Sequence, residues 1–178
     1  LNDSPAVFDR EKLMWMNAQY ISRLTREELR PHLAPFLEAV GLSDADPRRL
    51  EAALNLQQIR AHTLKELAES VVPYFRESLD YDPAACAKFL KDPALPELLA
   101  TLAERFAALP AWEKEGLEGV LRGLSDERQV KAGVLIHPAR MALSASAGGP
   151  PLFDLVEVLG RERSLGRFAR FGEFLVRG

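Results

Sequence analysis

The sequence predicts an all-α protein: two small helical domains, preceded by a helix that belongs partly to something upstream. Three observations carry that reading. Apolar residues recur at three- and four-residue spacing along nearly the whole chain, and strand-like alternation is never sustained for more than a few residues. Two T-x-x-E patterns, Thr25-Arg-Glu-Glu28 and Thr63-Leu-Lys-Glu66, mark helix starts: the hydroxyl accepts from an orphan amide while the glutamate reaches back to the cap. Prolines break the chain at Asp82-Pro83 and again at Asp92-Pro-Ala-Leu-Pro96.

The elements follow in order. Phe8, Leu13, Met16 and Tyr20 fall near one face of a first helix, with Ser4 and Pro5 placed to start it and Trp15 expected in the core. Thr25 opens a second helix that runs through Leu29 and Leu33 to Val40, and Gly41 is its natural stop. Asp46-Pro47 starts a third helix, with Leu50, Leu54 and Gln57 or Gln58 at helical spacing, and Thr63 starts a fourth toward Tyr74 and Phe75. Pro96 to Leu109 is strongly periodic, carrying Leu98, Leu99, Leu102 and Phe106. Trp112 to Leu124 is another helix, with Ser125 as a cap for the segment beyond it. Pro138 is expected at a helix start, and Leu152 and Phe153 open the next one. The stronger break lies at 92–96, which divides the chain into a connecting helix (1–24), a first domain (25–91) and a second domain (92–178).

Composition excludes several classes. The chain has 178 residues, 47% hydrophobic and 28% charged, ordinary for a soluble globular protein. No apolar run approaches the ~20 residues that span a bilayer, and the first residues show no secretory signal, so no membrane role and a cytoplasmic location are expected. The single cysteine, Cys86, rules out an intramolecular disulfide and reads as buried filler in an alanine-rich helix. Net charge is −3, yet from Arg122 onward nine Lys or Arg stand against six acids, a mildly basic end on an acidic body. That permits an anionic partner without demanding one.

Catalytic signals are missing. There is no glycine-rich phosphate loop and no G-x-S-x-G elbow. His32, His62 and His137 lie far apart in the chain with only Cys86 to join them, so neither a metal site nor a catalytic site is expected.

Two blocks carry a resemblance. Ser4-Pro-Ala-Val-Phe-Asp-Arg-Glu-Lys-Leu-Met-Trp-Met-Asn17 and HPARMALSASAGGPPLFDLVEVLGRERSLGRF (residues 137–168) stand in order, with Thr-Leu-Lys-Glu at 63–66 between them. In this the chain resembles the bacterial glutamyl-tRNA synthetases, over their C-terminal, anticodon-binding region. The resemblance implies a class I synthetase whose nucleotide-binding core lies upstream and whose two C-terminal helical domains grip the tRNA anticodon loop. It further implies that ATP and magnesium serve the full-length enzyme, that no cofactor is needed in this chain, and that the protein is a monomer. The chain departs from the pattern in two places: Ser144-Ala145 stands where the family has Thr-Gly, and a threonine near Gly149 is missing.

Sequence-specific RNA reading favours unstacked bases held against flat or apolar side chains and bonded along their edges. The segment from His137 to Phe153 offers such parts. Arg140 brings a rigid fork of donors and a plane for stacking, His137 can stack or bond, and tiny residues up to Gly149 let backbone approach closely. Leu152 and Phe153 are candidate walls for a base. The bland alternative is a helix–loop–helix with Arg140 capping a helix end and both apolar residues in the core. Arg60 is the remaining candidate, because the resemblance implies that an arginine three residues before Thr-Leu-Lys-Glu reads the third anticodon base; otherwise it is a surface arginine. Arg161, Arg163 and Arg167 read as a solvated helix face or as phosphate contacts. Two rival functions stay open: a protein-interaction module presenting Arg161 to Arg177 to an acidic partner, and an anticodon domain accepting both glutamate and glutamine tRNAs.

Overall fold

In the computed structural model, residues 9–89, 92–146 and 148–177 are described, and among them there are ten α-helices and no strand. Ser4, Pro5 and Phe8, expected in the first helix, lie outside the described residues. The chain divides into two compact units, 1–72 and 73–178.

The first unit is built from helices with strong local start signals. Helix α1 (Arg10–Arg23) begins where the Asp9 side chain accepts from the Lys12 amide at 3.0 Å. Helix α2 (Arg26–Ala39) carries the complete capping box: the Thr25 hydroxyl accepts from the Glu28 amide, and Glu28 Oε2 accepts from the Thr25 amide at 2.8 Å. Pro31 and Pro35 lie inside α2 but on exposed positions, on the side of the helix that faces away from the core. At its end Gly41 takes φ +75°, its amide donating to Glu38 and the Leu42 amide donating to Leu37, which closes the helix as a Schellman turn. Helix α3 (Pro47–Gln57) is capped by Asp46 and followed by one 3-10 turn, Gln58–Arg60. In α4 (Leu64–Val71) the Thr63 hydroxyl accepts from the Glu66 amide, while Glu66 accepts from His62 rather than from the cap itself.

Leu29, Leu33, Ala53, Leu67 and Val71 are buried where α2, α3 and α4 meet, and each large side chain contributes about 1.5–3 kcal/mol by leaving water. Helix α1 joins them by its last turns. Buried Gln58 donates through Nε2 to the carbonyls of Ile21 (2.7 Å) and Leu24 (2.8 Å), and Asn17 donates to the His62 carbonyl. The first turns of α1 stay outside this core. Trp15 is 62% exposed, with Leu13, Met16 and Tyr20 also exposed, so the core role expected for Trp15 does not hold within this unit.

The second unit contains α5 (Pro83–Cys86), α6 (Leu95–Ala107), α7 (Lys114–Glu127), α8 (Gly133–Ser144), α9 (Leu152–Leu159) and α10 (Arg161–Arg177). Helix α10 packs on α6, α8 and α9, and α7 packs on α6 and α9. Leu102, Phe106, Leu121, Val156, Phe168 and Phe171 are buried among them, with the Phe106 and Phe168 rings 6.0 Å apart. Cys86 is buried too, and burial pushes its thiol above the ordinary range, away from the reactive thiolate.

Three expectations are corrected. The division falls between 72 and 73, not between 91 and 92, because residues 73–89 are tied to the second unit by long-range contacts: Tyr81 to the Ala142 carbonyl, Glu77 to Arg163, and Phe89 to the Phe171 ring. Pro138 lies within α8, six positions in, rather than at a helix start. Ser125 does not cap the next segment; it lies in α7, buried, and its hydroxyl donates back to the Leu121 carbonyl at 3.0 Å.

Candidate nucleic-acid interface

Helix α8 turns Leu135, Ala139, Ala142 and Leu143 into the core. Spacings of three and four residues then place His137, Arg140 and Ser144 together on another face. His137 is exposed and Arg140 half-buried. Arg140 Nε is fully shielded without a hydrogen-bond partner, and among the described residues its guanidinium makes no ion pair. Ser144 Oγ donates to the Arg140 carbonyl at 2.9 Å, back-bonding across the last turn. Arg140 is therefore not a cap for its own helix end; its donors are left for something else.

The helix ends at Ala145, φ +53°, whose amide donates to the Met141 carbonyl at 2.8 Å. Beyond it the Gly148 amide donates to Ser146 Oγ at 3.3 Å, and Gly149 adopts φ +128° with open space where a Cβ would be. At Gly149 it is backbone conformation, not crowding, that demands glycine. Leu152 and Phe153 start α9 and face inward, 3% and 8% exposed, so they hold up this region and leave little surface for a base.

The other arginines of the basic end are already engaged. Arg161 donates to the Leu109 carbonyl at 2.6 Å and lies over the Trp112 ring. Arg163 pairs with Glu77 at 2.7 Å, and Arg170 donates to the Glu77 carbonyl. Arg167 has no exposure at all: it donates to the carbonyls of Leu143, Pro73 and Arg76. Burial, with the neighbouring Arg163 charge, pushes its guanidinium down to about 10. Neither the solvated-face reading nor phosphate contact fits Arg167, and the basic face expected for an acidic protein partner is largely spent on internal bonds. A signal was present in the sequence: Arg167 falls on the stripe Ser164, Arg167, Phe168, Phe171, Leu175, which is the buried face of α10.

Arg60 belongs to the other unit. It is the exposed last residue of the 3-10 turn, beside Ile59 at 70% exposure, and it makes no hydrogen bond or ion pair among the described residues. Gln58, placed by the sequence only as a position at helical spacing, anchors that turn to the end of α1. Among the described residues there is no group of three or more His, Cys, Asp or Glu able to hold a metal, and no helix is long and apolar enough to cross a membrane.

The family profile described as "Anticodon binding domain" matches residues 26–171, from the first residue of α2 into α10. The chain belongs to the anticodon-binding domain family. Within that family it is 42% identical over 175 residues to glutamate–tRNA ligase 2 of Koribacter versatilis, covering 97% of this chain and 36% of that protein. It is 40% identical over 165 residues to glutamate–tRNA ligase of Thermus thermophilus, covering 92% of this chain and 35% of the relative. The chain thus spans about a third of the length of these curated relatives and matches their C-terminal part. A solved glutamate tRNA ligase from Elizabethkingia meningosepticum, in complex with its amino acid, superposes with a TM-score of 0.84 at 23% identity, over 98% of this chain and 34% of that one. That likeness shows a shared fold, all-α among the described residues.

Proposed function

We propose that this chain recognises the anticodon loop of a tRNA for glutamate, as the RNA-reading part of a bacterial glutamate–tRNA ligase. In this reading the attachment of glutamate, with its ATP and magnesium, belongs to a catalytic region outside the chain. The enzyme acts as a monomer in the cytoplasm. Besides membership of the anticodon-binding domain family, one observation supports it: Arg140 is half-buried and makes no side-chain hydrogen bond or ion pair among the described residues, on the same face as exposed His137 and next to a turn of tiny residues. The fork of donors on a guanidinium can meet the acceptors of a base edge or a phosphate. Stacking of the guanidinium plane against a base adds to this.

The test is a titration at low salt of fluorescently labelled tRNA for glutamate, against an unrelated tRNA as control. Preferential binding with a shallow salt dependence supports the reading, since the mildly basic end of an acidic chain neutralises few phosphates. Equal binding of both tRNAs by this chain and by the full-length enzyme overturns it.

A further inference from the structure

We infer that Tyr81 and Arg167 are positioning residues for the RNA-reading end of α8: they hold its last turn, and with it Arg140, Ser144 and the turn beyond, in the geometry that meets RNA. The inference rests on the anticodon reading of α8.

The last carbonyls of any helix have no intrahelical donor and must find partners elsewhere. In α8 three of them are served. The Ala145 amide closes on Met141, the Tyr81 hydroxyl donates to Ala142 at 2.8 Å, and Arg167 Nη1 donates to Leu143. Two of the three donors thus come from outside the helix. The helix needs such support, because it is locally weak at two points, one in its middle and one at this end. Pro138 removes the amide that would bond to the Val134 carbonyl, and Ala145 occupies a left-handed conformation that its Cβ disfavours.

Packing alone does not account for Arg167. Its position lies on the apolar stripe of α10, and its partners there are carbonyls, while Arg163 and Arg170 nearby add like charge. A buried cation without a paired carboxylate is costly, and a leucine or methionine would fill the same place without that cost. What a leucine lacks is the planar fork that spans separate acceptors. Here the fork joins Leu143, three residues beyond Arg140 in the same turn, to Pro73 and Arg76. Tyr81 is itself fixed by its ring, 4.8 Å from Phe171 and 5.5 Å from Phe174, so its hydroxyl reaches Ala142 from a rigid base.

The experiment measures the KM for tRNA, kcat, the KM values for ATP and glutamate, and Tm in the full-length enzyme, for Tyr81→Phe, Arg167→Lys and Arg140→Ala. Tyr81→Phe keeps the ring contacts and removes a single donor; it is expected to raise the tRNA KM about fivefold, with kcat and the other KM values unchanged and Tm lowered by no more than about 3 °C. Arg167→Lys keeps the charge but loses the fork, and is expected to raise the tRNA KM by about tenfold or more. Should Arg167→Lys fail to fold, Tyr81→Phe decides alone. A tRNA KM within about twofold of wild type for Tyr81→Phe, with Arg140→Ala still raising it, would overturn the positioning role and leave the anticodon reading standing. Parallel rises in all three KM values would also overturn it, as general damage. An unchanged tRNA KM in Arg140→Ala would instead remove α8 from the RNA interface and end the anticodon reading of this helix.

Discussion

Arg163 Nη2 lies 2.7 Å from Glu77 Oε1, joining α10 to the first residues of the second unit. The arginine is mostly shielded and the glutamate exposed. That hydrogen bond first, and the surrounding arginine charges after it, hold the Glu77 carboxyl below its ordinary range.

A depressed carboxylate pKa contributes stability that is full above the unfolded value, near 4.5, and is lost as pH falls through the lower folded value. Glu77→Gln is therefore expected to be less stable than wild type at pH 7 and to converge on it as acid protonates Glu77. Urea melts at pH 7 and pH 3 measure this; an equal gap at both values would show that the charge of the pair contributes nothing.

Ala145 occupies φ +53°, where a Cβ crowds the following carbonyl by about 1 kcal/mol or more. The glutamyl-tRNA synthetase pattern places glycine at this position. Ala145→Gly is expected to stabilise the protein, net of the greater freedom glycine has when unfolded, by ~0.5–1 kcal/mol, or about 1–4 °C in Tm. Differential scanning calorimetry reads it directly, and a lower Tm would mean that the left-handed turn is not what limits this helix end.

Phe153 and Arg140 separate support from contact. Phe153→Ala empties a core position and is expected to cost about 3–5 kcal/mol in urea unfolding. Arg140→Ala removes a half-buried side chain that makes no side-chain hydrogen bond or ion pair among the described residues, and is expected to leave stability within ~0.5 kcal/mol of wild type. A large loss from Arg140→Ala would make that arginine structural.

Arg60 stands exposed on a turn whose buried neighbour, Gln58, is bonded to two α1 carbonyls. The tRNAs for glutamate and glutamine differ at the third anticodon base, C against G. Cytosine offers the acceptors N3 and O2 to a guanidinium, whereas guanine presents donors along most of the same edge. Donor facing donor leaves both unpaired, at about 1–3 kcal/mol, or one to two decades of discrimination. Arg60→Gln, with both a donor and an acceptor, is expected to relax the preference for the glutamate tRNA. The ratio of kcat/KM for the two tRNAs in the full-length enzyme measures it. An unchanged ratio would place the discriminator elsewhere, and a wild type charging both equally would favour acceptance of both tRNAs.

The sequence by itself determined the helices of this protein and several of their ends. Thr25 with Glu28, Asp46 before Pro47, and Gly41 act on amides and carbonyls within a few residues, so a local reading finds them. The resemblance also pointed to Arg60, through Thr-Leu-Lys-Glu at 63–66, and to Arg140, through the block at 137–168, since a motif keeps its spacing whatever the chain does around it.

The roles of the remaining polar and aromatic residues follow from contacts between segments far apart in the chain. Arg167 bonds to carbonyls 24, 91 and 94 positions away, and the same residue type on a free helix would be a solvated charge. Trp15 shows the converse, since periodicity places it on a helix but cannot say whether anything packs against it. The unit boundary at 72/73 obeys the same logic: prolines at 92–96 break local structure, but Tyr81, Glu77 and Phe89 reach across them to α8 and α10. Backbone preferences act over a turn or two, whereas burial and carbonyl partners are assigned only when distant segments close on one another.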